Sequence, residues 1–333
     1  MNKILNTTLA AILFCTAASA DNSTKTYTVT VAYDGTKAVV SIPEAITDYV
    51  SCPSGESAHV KLIQAETVNE KTTGEIIYSL SGQSDNGEFY LTGEYKATLL
   101  LNGLTLANPD SSAVHIKDGK RIKVSMAANT VNTLSDGVAD STSKGCFHSK
   151  GHTEFAGKGT LNVSSSFSHA IYSKEYVEVK NCTLNITSAK KDGIHCQEYF
   201  LMSSGVLSIK GVEDDAIQVE LKDSVATGIT KDHEDENTGN FYMTGGTLTI
   251  SEIGGYCIKA DGNITFTAGT RKFDTDNIKE NAATAINHIV NSQSDNRQYY
   301  YDLNGRRMPN DAVLPRGIYI VKEGDKARKI VVK

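Results

Sequence analysis

The sequence contains no tryptophan and only five prolines among 333 residues. Its formal net charge of −6 gives no cationic excess, which argues against a nucleic-acid partner. Beyond the first twenty residues there is no apolar run long enough to span a membrane. Six cysteines are present, and no two of them form a Cys-x-x-Cys pair, so a cysteine-based zinc site is not expected.

The first twenty residues have the features of a secretory signal peptide. Lys3 precedes an apolar run from Leu9 to Phe14, and Ala18-Ser19-Ala20 provides a small-residue cleavage site. These features predict that residues 1–20 are cleaved off and that the protein is secreted or held on the outer cell surface. Five cysteines then remain, and this odd number argues against a complete disulfide framework. We expect most of them to be buried free thiols.

A short pattern recurs along the chain: a small residue, an apolar residue, a polar residue, and a second small or apolar residue. Its copies begin at Ala113, Cys146, Ala170, Gly193, Ala216 and Cys257. The apolar members are 33, 24, 23, 23 and 41 positions apart. A second pattern, Leu-x-Val or Leu-x-Ile, has leucines 23, 23 and 41 positions apart, at Leu161, Leu184, Leu207 and Leu248. Two markers with one spacing indicate a structural repeat.

Within each repeat, apolar and polar residues alternate, which is the period of a β-strand. A single repeat cannot bury its apolar side, but repeats stacked in parallel about 4.8 Å apart can. A propeller blade would need about 40 residues and four longer strands. The sequence therefore predicts an all-β parallel β-helix, a solenoid. The step of 41 residues predicts one coil with an inserted loop of 18 residues.

Outside the clear repeats the pattern changes. Residues 21–270 are predicted to form the β-helix, with 21–80 as irregular opening coils or a cap, since solenoid ends need a polar cover. Residues 271–298 are predicted to form a linker, with a possible short helix within Asp274–Asn291. Residues 299–333 contain three short strand patterns separated by turns, which predicts a small C-terminal β module.

Two acidic residues occupy the same place in successive repeats. Asp192 and Asp215 are 23 positions apart, and Asp214 stands beside Asp215. Stacking should bring their carboxylates within about 5–6 Å, where unpaired anions repel each other. A Ca²⁺ ion would relieve this repulsion. The alternative is that the aspartates cap turns by accepting backbone N–H groups, with Lys190 or Lys191 neutralising one of them.

The repeats also predict a polar ladder on the outside of the solenoid. The position after each apolar marker holds His115, His148, Tyr172, His195, Gln218 and Lys259. Two positions later, Lys117, Lys150 and Lys174 form a positive strip about 10 Å long, which would suit an acidic polysaccharide. Tyr172 and His195 could contact the sugar. The alternative is that the lysines only keep an exposed sheet soluble and block edge pairing.

Several segments resemble a known family. They are Ala97–Thr105 (ATLLLNGLT), Asn132–Gly137 (NTLSDG), Lys191–Ile194 (KDGI) and Gly245–Ile250 (GGTLTI). Together they resemble the secreted carbohydrate-binding-domain family of calcium-containing right-handed β-helices, which look like pectate lyases in fold. The resemblance implies a right-handed β-helix, a polysaccharide ligand, and Ca²⁺ held by Asp192, Asp214 and Asp215.

The C-terminal segment carries a second resemblance. Tyr301–Arg306 (YDLNGR) and Leu314–Tyr319 (LPRGIY) look like the C-terminal sorting domains that Bacteroidetes use for type IX secretion. The resemblance implies export across the outer membrane.

Catalysis is less well supported by the sequence. A pectate lyase needs an arginine or lysine base near its calcium; Arg121 lies several coils from Asp192, whereas Lys174 is one coil before it and could be the base. A glycosidase needs two carboxylates about 5–10 Å apart on an exposed groove, which Asp214, Asp215 and Glu220 could supply. Neither arrangement is compelling. We therefore favour a non-catalytic protein that binds acidic or plant-type polysaccharides. A lyase or hydrolase is the first alternative, and a surface adhesin or scaffold is the second.

Overall fold

A computed structural model describes residues 26–137, 143–222, 236–280, 298–301, 308, 314–323 and 326–332. The signal-peptide prediction lies outside these residues. Repeated triplets of short strands dominate the fold, and strands of successive repeats pair in parallel. The predicted all-β parallel β-helix is therefore confirmed. Among the described residues, no helix has the length and apolar character needed to cross a membrane.

One face of the β-helix is a ten-stranded sheet. Its strands, from one end to the other, are β3 (Val50–Ser51), β4 (His59–Gln64), β6 (Glu88–Thr92), β8 (Val114–Ile116), β11 (Gly145–Ser149), β14 (His169–Ser173), β17 (Ile194–Gln197), β20 (Ile217–Glu220), β23 (Ile258–Ala260) and β26 (Ile278–Glu280). All neighbours pair in parallel except β3 and β4, which are antiparallel.

The other two faces belong to one sixteen-stranded sheet. The second face contains the first halves of β5 (Ile76–Ser84) and β7 (Ala97–Asn108), which both continue into the third face, and β9 (Ile122–Met126), β12 (Thr153–Gly157), β15 (Val177–Val179), β18 (Tyr199–Met202), β21 (Asn240–Met243) and β24 (Ile264–Phe266). The third contains the second half of β7, β10 (Val131–Asp136), β13 (Thr160–Ser164), β16 (Thr183–Ser188), β19 (Val206–Val212), β22 (Thr247–Ile253) and β25 (Thr270–Phe273). Strand β7 joins the two faces because its residues 97–101 pair with β9 and its residues 105–108 with β10.

The opening segment differs from the coils that follow it. Strand β1 (Thr28–Asp34) pairs antiparallel with β2 (Lys37–Ser41) and in parallel with β5. A single turn of 3₁₀ helix covers Glu44–Ile46. These residues fall within the segment 21–80, for which an irregular opening or cap is the expectation.

The core is made of inward columns, one residue per coil. The apolar marker residues from Val114 to Ile258 are fully buried, as are the leucines of the second pattern. Phe200 and Phe241 of adjacent coils stack with ring centroids 5.1 Å apart. Burying one such side chain stabilises the fold by roughly 1.5–3 kcal/mol. The five cysteines among the described residues are free, and all but Cys52 are buried, as predicted.

The β-helix extends beyond the predicted boundary at residue 270. Strands β25 and β26 pair in parallel with β22 and β23, so the coils continue to Glu280. The prediction of a linker over 271–298 is wrong for residues 271–280, where backbone pairing with the preceding coil fixes the strands. Within Asp274–Asn291, the described residues include the strand Ile278–Glu280, and residues 281–297 lie outside the description.

The C-terminal segment forms its own sheet. It contains β27 (Gln298–Tyr301), β28 (Gly317–Glu323) and β29 (Lys326–Val332), which pair antiparallel in that order. Tyr319 is buried, and its hydroxyl donates to the carbonyl oxygen of Pro315 at 3.0 Å.

Candidate functional site

The outward column of the ten-stranded sheet is a continuous polar and aromatic ladder. Parallel pairing places the following residues in register, one per coil: Lys61, Tyr90, His115, His148, Tyr172, His195, Gln218, Lys259 and Lys279. The rings contact each other in sequence. The rings of His115 and His148 stack with nearly parallel planes and centroids 4.6 Å apart, and the centroids of Tyr172 and His195 are 5.2 Å apart. The predicted ladder is therefore present, and it extends two coils further towards the N-terminus.

A cleft of about 310 Å³ lies on one part of this ladder. Its polar lining consists of His115, Lys117, Lys144, His148, Lys150, Tyr172 and Lys174. Four of the five predicted binding residues, Lys117, Lys150, Lys174 and Tyr172, thus meet at one place. Sequence reasoning missed Lys144, which lies outside the repeated columns. Its ammonium group lies 5.0 Å from the centroid of the Tyr172 ring.

The charge around this cleft is of one sign. Within the described part of the chain, none of its four lysines has a carboxylate oxygen within 4.0 Å, and no acidic residue lines the cleft. Burial and then the charges of His115 and Lys144 lower the pKa of His148 to about 3. The His148 ring is therefore neutral at physiological pH, and the neighbouring lysine charges that help to lower its pKa would attract an anion.

A second cleft, of about 350 Å³, has a different character. It lies on the second face and is lined by both signs of charge, including Lys123, Lys158 and Lys180 together with Glu154 and Glu178. Because its charges are mixed, it offers no comparable attraction for an anionic ligand.

The side chains of Tyr172 and His195 are buried, whereas the sequence predicts that they are exposed on the outer column. Tyr172 is 4% exposed and His195 is 8% exposed. The ring of Tyr172 therefore forms part of the floor of the cleft. His195 is not among the residues that line the cleft and is held by two carboxylates, so its contact with a sugar stays a prediction.

His195 links two acidic residues across coils. Its Nδ1 lies 2.8 Å from Oδ2 of Asp192, and its Nε2 lies 3.3 Å from Oε2 of Glu220. Burial disfavours the charged ring, but the two carboxylates outweigh burial and raise the pKa of His195. A protonated His195 can donate to both carboxylates.

Asp192 is satisfied on both oxygens. Oδ1 accepts the backbone N–H of Asp215 at 3.1 Å, and Oδ2 lies close to His195 and 3.1 Å from Nδ1 of His169. Burial opposes the carboxylate, but the two histidines outweigh it and hold the pKa of Asp192 well below its usual range. The capping role that the sequence left open is therefore present, because the Asp192 side chain accepts an N–H group from the next coil.

Asp215 also caps the following coil and has a cationic neighbour. Its Oδ1 accepts the backbone N–H of Tyr256 at 2.7 Å, and its Oδ2 lies 3.1 Å from Nζ of Lys259. The expectation that Lys190 or Lys191 neutralises an aspartate is wrong for Lys190, whose ammonium lies 2.7 Å from both carboxylate oxygens of Glu213. A lysine two coils after Asp192 takes this role because the ladder brings Lys259 into register.

The three aspartates could hold a hard cation on the side where Asp214 is exposed. Asp192, Asp214 and Asp215 each place one carboxylate oxygen within 4.8 Å of the others. Burial raises the pKa of Asp214, and the negative charges of Asp192 and Asp215 raise it further. The nearby histidines and Lys259 therefore do not fully offset the repulsion between the Asp214 carboxylate and those of Asp192 and Asp215. Three carboxylates are the ligand type that Ca²⁺ prefers, and Asp214 would be its exposed ligand.

Comparisons with known proteins agree with this architecture. A family model described as "Carbohydrate-binding domain-containing protein" matches residues 64–302. A carbohydrate-binding domain-containing protein of Acetivibrio thermocellus is 26% identical over 110 residues, which make up 30% of this chain and 38% of that relative. The matched segment thus spans well under half of the relative's length.

A solved structure has the same fold. It is described as the polysaccharide lyase-like protein from C. thermocellum, in a gadolinium derivative. The likeness covers 77% of this chain and 98% of that one, with a TM-score of 0.52 and 19% sequence identity. At this identity the likeness establishes the fold alone. Because the family model spans more than half of the residues, the chain belongs to the family of carbohydrate-binding domain-containing proteins.

Proposed function

We propose that this protein binds an acidic polysaccharide, without cleaving it, across the cleft on the ten-stranded sheet. The single observation that carries the proposal is the group of four lysines around that cleft, none of which is paired with a carboxylate in the described residues. Carboxylate groups along a glycan would supply the missing anions.

The order of the lysines suits a chain ligand. Lys117, Lys150 and Lys174 follow strands β8, β11 and β14, which are consecutive rungs about 4.8 Å apart. A polymer lying along the axis of the β-helix would meet one ammonium group per rung. The rings of His115, His148 and Tyr172 give the floor of the cleft apolar surface for the sugar rings.

The surroundings of the cleft favour binding over catalysis. The guanidinium of Arg121, the arginine considered as a lyase base, contacts the carboxylate of Glu75 and lies 3.7 Å from Oε2 of Glu154. Asp192 and Asp215, two buried carboxylates beside the ladder, are bound to histidine, lysine and backbone N–H groups. Either of them would have to give up these partners to act as a base or an acid.

We further propose that Ca²⁺ binds at Asp192, Asp214 and Asp215 and stabilises the middle coils. The repulsion that raises the pKa of Asp214 supports this proposal. Secretion through residues 1–20 and export aided by residues 299–333 remain proposals that rest on the sequence, and they would place the binding surface outside the cell.

Replacing lysines tests the binding proposal. The double variant Lys150→Gln/Lys174→Gln should weaken binding to polygalacturonate, because each lost ammonium costs about 1 kcal/mol, or about fivefold in affinity. Isothermal titration calorimetry would measure the change. Lys190→Gln is the matched control, since Lys190 is exposed and paired with Glu213 outside the cleft.

Two results would contradict the proposal. One is equal affinity in the double variant and in the control. The other is affinity that does not fall between 0.1 M and 1 M salt, because the screening length shortens from about 10 Å to about 3 Å. Release of unsaturated or reducing ends from polygalacturonate would instead favour the lyase or hydrolase. Binding to a host protein with no affinity for any acidic glycan would favour the adhesin.

A further inference from the structure

A second buried cluster of charged side chains lies on the edge between the first and second faces. It contains His152, Glu175 and Glu198, which follow strands β11, β14 and β17 in three successive coils, and Lys222, which follows β20. His152 and Glu198 are 5% and 2% exposed. The cluster is separate from the aspartates and shares no residue with the lysine cleft.

Three atoms of this cluster converge on one point. Nε2 of His152 lies 2.9 Å from Oε2 of Glu175 and 3.5 Å from Oε2 of Glu198, and all three atoms lie within 4.8 Å of one another. When a metal lies about 2.0–2.2 Å from each ligand atom, in tetrahedral or octahedral geometry, the ligand atoms lie at similar distances from one another.

These same atoms lack hydrogen bonds. Within the described residues, neither ring nitrogen of His152 makes a hydrogen bond, and Oε2 of Glu175 and Oε2 of Glu198 also make none. An imidazolium paired with carboxylates would direct its N–H at an oxygen. Here the two Oε2 atoms lie close to Nε2 without a hydrogen bond to it, an arrangement that a shared ion would explain.

The other carboxylate oxygens are already occupied. Nζ of Lys222 donates to Oε1 of Glu175 at 2.8 Å and to Oε1 of Glu198 at 3.0 Å. Lys222 thereby fixes both carboxylates with their Oε2 atoms turned towards His152. Supporting contacts of this kind orient metal ligands in proteins.

The ring and the backbone are held as well. The ring of Tyr176 stacks on His152 with centroids 4.4 Å apart and an angle of 11° between the planes. Glu198 has a φ of +68°, in the left-handed region, whereas the matching position of the next coil is Gly239 with a φ of +65°. A non-glycine residue in this region costs about 1 kcal/mol or more, so the Glu198 side chain is kept at an energetic cost.

We propose that His152, Glu175 and Glu198 bind a divalent transition-metal ion of the Zn²⁺, Co²⁺ and Mn²⁺ class. One imidazole and two carboxylates are ligands for these ions, whereas an all-oxygen set suits Ca²⁺. Lys222 acts as a positioning residue. The ion joins three coils and would leave at least one coordination position for water.

The test uses the full chain, stripped with EDTA and dialysed. Co²⁺ and Zn²⁺ are added separately, and bound metal is counted by elemental analysis and by the visible absorption of bound Co²⁺. The wild type should hold one equivalent more than His152→Gln or Glu198→Gln, with Zn²⁺ bound more tightly than Co²⁺ or Mn²⁺. Lys222→Met should weaken binding by roughly 10–100-fold.

Glu213→Gln is the matched control, since Glu213 is an exposed glutamate of the same coil stack and pairs with Lys190. It should bind like the wild type. Glu175→Gln gives a milder variant at a partly exposed position, should either buried substitution prevent folding. The proposal is overturned if the wild type holds no Co²⁺ or Zn²⁺ after dialysis. It is also overturned if folded Glu175→Gln, His152→Gln and the wild type bind equally.

Discussion

The ammonium group of Lys259 lies 3.1 Å from Oδ2 of Asp215, across one coil interface of the ladder. Burial opposes the charged amine, but Asp215, followed by Asp192 and Asp214, outweighs it and raises the pKa of Lys259. Lys259 therefore partly neutralises the aspartates and lies where a metal cation bound to Asp215 would lie. A Ca²⁺ ion bound at this site would compete with Lys259 for the Asp215 carboxylate.

This competition gives a prediction for calcium. Ca²⁺ should raise the melting temperature of the wild type, because only the folded chain brings the three aspartates together. At a hundredfold excess over the dissociation constant the gain is roughly 2.7 kcal/mol. Asp215→Asn should lose most of this gain, whereas Lys259→Met should increase it by removing the competitor. A melting temperature that is the same in Ca²⁺ and in EDTA would show that the aspartates act only as caps.

The ladder of the third face gives a prediction for stability. Asn185 lies in the middle of β16, between β13 and β19, and its amide donates to Oδ1 of Asn162 at 2.9 Å. Asn185→Pro should lower the free energy of unfolding by about 3 kcal/mol or more, since proline cannot donate to the ladder. Asn185→Ala is the control, because it removes only the side-chain bond, worth about 1 kcal/mol. Equal thermal denaturation curves for the two variants would contradict the parallel pairing.

A buried carboxyl near the cleft gives a prediction for pH. Asp118 has no exposed surface; Oδ1 accepts the backbone N–H of Lys120 at 2.8 Å, and Oδ2 makes no hydrogen bond with described residues. Burial raises the pKa of Asp118 to about 6, against about 3.9 in an unfolded chain. Between these values the folded state binds more protons, so Asp118 destabilises the fold as pH rises from about 4 to 6.

Asp118→Asn should therefore stabilise the protein at pH 7–8 by on the order of 2 kcal/mol and have little effect at pH 4. Melting temperatures of the variant and the wild type across this range would measure the difference. Asp110→Asn, at an exposed position, is the control and should show no such trend. A constant difference at all pH values would mean that Asp118 does not titrate in this range.

The C-terminal sheet gives a prediction for localisation. Strands β27, β28 and β29 pair only with one another among the described residues. Deleting residues 299–333 should leave the melting of the β-helix unchanged, and it should retain the protein in the periplasm of a host with type IX secretion. Cell fractionation would measure this. Export of the shortened chain at the wild-type level would remove the sorting assignment.

The repeats made most of the fold predictable. Spacing of 23 residues fixed which residues stack, and the apolar markers fixed which of them face inward. The C-terminal boundary was missed because β25 reads Thr-Arg-Lys-Phe and β26 reads Ile-Lys-Glu. These strands are defined by hydrogen bonds to the previous coil, since their exposed residues show no alternation of apolar and polar types.

The sites were only partly predictable for a different reason. The column of Lys117, Lys150 and Lys174 follows from the spacing alone, but the depth of Tyr172 depends on neighbouring side chains. Lys144 lies outside the columns and lines the cleft from the position just before β11. His152, Glu175 and Glu198 carry a usable signal, because each is 23 positions from the next. The convergence of their ligand atoms on one point depends on side-chain geometry, which spacing does not determine.

The constant coil length has a consequence for how this molecule can change in size. Residues 171–193 make up one full turn, after which Ile194 pairs with Ile171. A tandem duplication of this segment would insert a complete turn with its own copy of Tyr172 and Lys174, and it would leave every other pairing intact. The row of ammonium groups would grow by about 4.8 Å. The number of turns would then determine how long a glycan the surface can hold.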